Sequence, residues 1–135
     1  MAALKIIRKG LALHKSNKGL YEEVIQMELD IVVGNPALKK NNEDELDEDK
    51  KKLCVKKLHT YFAEILNNIN DCCFYILILK KLENYKFTLP VQKEIETCLY
   101  DKYFNEPKAW HTLAQREYKG IILGLSIPLI FIMTF

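Results

Sequence analysis

Along most of the chain, apolar residues recur at spacings of three and four, the period of a helix with one buried face. From Met1 to Leu13, Leu4, Ile7 and Leu11 line one side with Lys5, Arg8 and Lys9 between them, and Gly10 weakens the pattern. Ser16-Asn17-Lys18-Gly19 reads as a turn that supplies a helix cap. Leu20, Val24, Met27 and Ile31 then share a face, flanked by Tyr21, Ile25, Leu29 and Val32. Glu22 and Glu23 suit the positive end of that helix dipole, and Gly34-Asn35-Pro36 ends the run. Residues 1–36 are thus a basic and amphipathic helical segment.

The pattern stops at Ala37. Through Lys52 only Ala37, Leu38 and Leu46 are apolar, so residues 37–52 are expected to form a charged linker. It resumes from Leu53 with Val55, Leu58, Phe62, Ile65, Leu66 and Ile69. Asn67 to Asp71 favours a break, and Asp71 can cap a helix opening at the apolar run Cys72 to Leu79, which predicts a helical hairpin. Asn84 to Thr88 reads as a loop. Val91, Ile95, Cys98, Leu99, Lys102 and Tyr103 mark the next helix, with Pro90 in its first turn. Asn105 is the expected cap of a last helix with Pro107 in its first turn and Ala109, Trp110, Leu113, Ala114, Glu117 and Tyr118 on one face. The single Trp110 is expected to anchor the core. The fold class is all-α: a small bundle of about five amphipathic helices, with residues 53–119 as the bundle proper.

Residues 120–135, GIILGLSIPLIFIMTF, contain no charge, and Arg116 and Lys119 stand just before them. A helix of that length spans about 24 Å, short of the roughly 30 Å hydrocarbon core. Pro128 is better tolerated in lipid than in water. A helix apolar on every side needs core or lipid around it. The segment therefore reads as a membrane anchor with a basic flank, or as an element buried in the core or an interface.

Charge adds detail without giving a chemistry. Twenty Lys plus Arg stand against eighteen Asp plus Glu, so no global field calls for nucleic acid. Eighteen of the twenty are Lys, whereas Arg serves bidentate phosphate and base contacts better. Six acids fall within residues 43–49 and Lys50 to Lys52 follow, an arrangement read as solvated or as a dock for a basic partner.

Cys54, Cys72, Cys73 and Cys98 show no C-x-x-C spacing and are expected to be buried, reduced thiols; on a helix at most one of the adjacent pair Cys72 and Cys73 faces the core. His14, His59 and His111 lie far apart with no nucleophile pattern, and no phosphate loop, dinucleotide fingerprint or nucleophile elbow occurs. No catalytic, cofactor-binding or metal-binding residue is assigned. The first twenty residues, basic throughout, are not expected to act as a secretory signal.

These observations support a non-enzymatic, membrane-associated interaction protein, such as a small accessory subunit of an organellar, mitochondrial, membrane complex. Its partners would be proteins, and its contact with the membrane would be Gly120–Phe135; no specific nucleic acid and no small-molecule substrate is indicated. The alternative is a soluble helical adaptor of the cytoplasm or nucleus whose apolar tail is buried in the core or an interface.

Overall fold

Short polar side chains start the helices where the sequence breaks. The Asn17 side chain accepts from the Leu20 amide at 3.0 Å, and that of Asp71 from the Cys73 amide at 3.0 Å. The computed structural model describes residues 2–34 and 46–119, and among these it is all-helical, with no strand. Its helices are α1 (Ala2–Leu13), α2 (Lys18–Val33), α3 (Glu48–Asn68), α4 (Cys72–Leu82), α5 (Leu89–Lys102) and α6 (Pro107–Tyr118). The weakly patterned start forms a helix of its own, so six α-helices occur among the described residues, against the five or so expected, and a short 3-10 turn (Lys86–Thr88) lies within the expected loop.

Gly10 does not interrupt α1. A Cβ there would lie 3.3 Å from Leu20 Cδ1, so glycine admits the α2 side chain to the α1 surface. At Gly34, φ is 72°, and its amide donates to the Asp30 carbonyl at 2.7 Å, which closes α2.

The end of the expected linker is helical. The Asp47 side chain accepts from the amides of Asp49 (2.8 Å) and Lys50 (3.3 Å), and Glu48 and Asp49 fill the first turn of α3. The acidic run therefore supplies a cap and charges that complement the helix dipole, and residues 48–52 join α3. Among the described residues the chain forms two compact units: one gathers α1, α2 and α3 with Asn84–Phe87, the other α4, α5 and α6. The division falls in the short connection after Asn70, where a helical hairpin of α3 and α4 was expected within one bundle spanning 53–119.

In the first unit, Val24 and Leu29 are fully enclosed, with Leu58 and Ile65 beside them. Amid this apolar face of α2 sits the buried carboxylate of Glu28. Arg8 Nη2 and the Tyr61 hydroxyl both donate to its Oε2 at 2.9 Å, and Arg8 Nε donates to the Tyr61 oxygen at 3.0 Å. Lys57 Nζ stands 3.6 Å from Oε1. One carboxylate thereby fixes the rotation of α1, α2 and α3. The hydrogen bond to Tyr61 raises the Arg8 pKa above its ordinary value; burial opposes this and Glu28 reinforces it.

The second unit repeats the device with the sign reversed in position. Tyr75, Leu79, Ile95, Leu99 and Leu113 are fully enclosed, and so is the Arg116 guanidinium, 2% exposed. Arg116 Nε donates to Glu96 Oε2 at 2.6 Å and Nη2 to Gln92 Oε1 at 2.9 Å. Nη1 makes no hydrogen bond but lies 3.5 Å from Glu83 Oε2. Gln92 Nε2 donates onward to the Leu82 carbonyl (2.9 Å) and to Thr88 Oγ1 (3.0 Å), which satisfies the end of α4.

Two expectations for α6 are corrected here. Arg116 is no flank of the apolar tail, because it is buried against Glu96; of the expected pair only Lys119 is exposed, 3.2 Å from Glu83. Tyr118 is 89% exposed rather than core-facing, since α6 turns Ala109, Leu113 and Arg116 inward. Replacing Arg116 with Met should cost about 3–5 kcal/mol in denaturant unfolding by stranding the buried Glu96 charge, and Arg116→Met with Glu96→Leu should regain most of that loss. A single-variant cost under about 0.5 kcal/mol would deny the network its structural role.

Candidate functional site

Helix α6 begins without a side-chain cap. Glu106 occupies the cap position in extended backbone, in place of the expected Asn105, because Pro107 at the first helical position has no N–H to satisfy. The turn before it leaves Phe104 57% exposed. Phe104, Pro107, Trp110 and Ala114 form the apolar floor of a groove of about 670 Å³, with Asn105, Lys108 and His111 also lining it. Trp110 is buried, as expected of a core anchor, and its indole N–H donates to the Phe104 carbonyl at 2.6 Å. Its ring meets Tyr100 edge-on at 5.6 Å, and the indole packs with Leu113. The groove follows the outer stripe 107, 110, 111, 114 of α6, which runs on to the exposed Tyr118. Its size is that of a ligand or peptide site, and its floor is apolar.

The first unit has a cavity of about 590 Å³ bounded by Arg8, Lys15, Tyr21, Tyr61, Glu64 and Asn68, among others. Its polar groups are already engaged: Arg8 and Tyr61 both serve Glu28. Burial pushes the Tyr21 and Tyr61 phenols above their ordinary range, which is unsuited to acid–base work near neutral pH.

The cysteines are all free, and three of the four are buried. Burial pushes the Cys54 thiol up to about 12 and the Cys98 thiol up to about 11. Burial raises Cys72 as well. Of the adjacent pair only Cys72 faces the core, as helix geometry requires; Cys73 is exposed at the start of α4, with Lys108 Nζ 3.0 Å from its Sγ. That hydrogen bond raises the Lys108 pKa.

The three histidines are not brought together. His14 and His59 belong to the first unit, and His111 lines the groove of the second. Among the described residues no group of three His, Cys, Asp or Glu side chains could hold a metal ion. No helix among them is long and apolar enough to cross a membrane, and the suspected anchor at 120–135 lies outside the described residues. The groove went unread in the sequence because it depends on the rotation of α6. Its one advance sign is that Trp110, Ala114 and Tyr118 follow one helical stripe while Ala109 and Leu113 follow another. No known family, no curated protein and no solved structure matches the chain.

The thiols give a direct check of this geometry. Near neutral pH a thiol reagent should modify Cys73 in the folded protein and reach Cys54, Cys72 and Cys98 only on unfolding. The raised pKa values carry a linked effect: stabilisation by the neutral buried thiols is complete below the ordinary thiol value of 9.0 and is lost as pH rises through about 11 and about 12. Unfolding free energy should therefore fall on alkaline titration above pH 9.0, and a flat profile would place these thiols in water.

Proposed function

We propose that the chain is a membrane-associated protein that acts by binding other proteins and is held to the bilayer by Gly120–Phe135. The observation that carries this reading is the run of sixteen uncharged residues directly after Lys119. A bilayer accommodates a span of that length by local thinning, with the exposed Lys119 reaching to the headgroups. Binding rather than catalysis is favoured because the buried carboxylates Glu28 and Glu96 are each neutralised by an arginine. A small accessory subunit of an organellar membrane complex, such as a mitochondrial one, suits the basic face of α1, where Lys5 and Lys9 are exposed, with Lys15 exposed in the turn after it.

A second reading, a soluble helical adaptor of the cytoplasm or nucleus, is favoured by a different observation, the apolar groove on α6. The two part company on alkaline carbonate extraction of cell membranes. Under the anchor reading the full chain stays in the pellet and a chain ending at Lys119 moves to the supernatant. Both proteins in the supernatant would leave the adaptor reading standing and remove the anchor.

A further inference from the structure

The outer side of α6 carries a groove that is apolar along its floor, where Trp110 is backed by Tyr100 of α5, and α6 leads along the chain toward residue 120. Phe104 stands 57% exposed at one end and Tyr118 89% exposed at the other. Between them Trp110 and Ala114 form the floor of the groove. A groove with an apolar floor offers cover to apolar chain, and an uncharged sixteen-residue segment needs such cover in water. The two are joined through Lys119 alone.

We infer that, away from a bilayer, the groove on α6 is the docking site of the chain's own residues 120–135. Length permits it: α6 has twelve residues and rises about 18 Å, while sixteen residues reach about 24 Å even as a helix. Gly120 stands just past the end of α6, where a chain reversal favours glycine. Charge agrees too. Lys108 and His111 edge the groove without an acid among its described lining residues, and the segment brings no charged side chain to be stranded there. Contact is through side chains such as Ile121, Leu125 and Leu129 laid on Phe104, Trp110 and Ala114. The inference goes beyond the anchor reading: it assigns the segment a resting place on the protein itself, one that entry into a bilayer would empty.

The test is nuclear magnetic resonance of the isotope-labelled full chain in detergent-free buffer. Overhauser contacts are expected between methyl groups of residues 121–132 and both the Trp110 indole and the Ala114 methyl, unchanged on dilution. Ala114→Glu should abolish them while the Leu79, Ile95 and Leu99 signals stay in place. Phe104→Asp, at an exposed position, should abolish them as well and serves if Ala114→Glu does not fold. Absence of such contacts in the full chain overturns the inference. So does their loss on dilution, which would mean a second copy fills the groove, and so does precipitation of a full chain whose Lys119-terminated counterpart stays monomeric. Flotation with phosphatidylcholine vesicles reads the anchor separately: a chain that floats but lacks the contacts keeps the anchor and loses the docking site.

Discussion

The chain contains two arginines, and each meets a buried carboxylate. Taking a carboxylate out of water carries a penalty of several kcal/mol, which only a well-placed cation and further hydrogen bonds can offset. A guanidinium meets that need with donors in a planar fork, as an ammonium does not. Arg8 thus brings α1 to Glu28 on α2, where Tyr61 and Lys57 of α3 converge on the same group. Arg116 brings α6 to Glu96 on α5, and Gln92 extends the contact to the end of α4. Apolar packing and a directional ion pair both constrain the rotation of a helix, and the ion pair adds a requirement that one particular side chain face inward. These two pairs therefore set which face each helix presents, and so what remains outside.

The consequence is most direct in α6. With Arg116 inward, Ala109 and Leu113 follow it into the core, and the stripe through Trp110, Ala114 and Tyr118 becomes the wall of an apolar groove. A buried salt bridge on one side of α6 thereby leaves an apolar groove on the other. Lys108, on the edge of that groove, also approaches the exposed thiol of Cys73, so the start of α4 and the groove share one lysine. On the proposals made above, lipid and this groove are alternative environments for the uncharged segment that follows Lys119.

Helix starts and stops were legible in the sequence because they are local. Asn17, Asp71 and Gly34 act on amides and carbonyls within a few residues, Pro107 removes an amide that would need a partner, and each stands at the boundary where periodicity puts it. The capping role of Asp47 was hidden by its neighbours, since an acidic run reads first as solvated chain. Arg116 was misread for a related reason. A charge near the end of an amphipathic helix is ordinarily solvated, and its partner Glu96 lies twenty residues away on another helix. Glu28 did leave a trace, as a carboxylate amid Ile25, Leu29 and Val32 on the buried face of α2. The groove left less, because its existence depends on a rotation that only tertiary contacts decide.

Residue-resolved hydrogen exchange of the full chain tests the central role of the two carboxylate–arginine pairs most directly. If they lock their units, the slowest amides lie in the turns of α2 and α3 around Glu28 and Tyr61, and in those of α5 and α6 around Glu96 and Arg116. Fast exchange in these turns, with the slowest amides elsewhere in the helices, would contradict it: the pairs would then be passengers on apolar packing rather than what orients the helices.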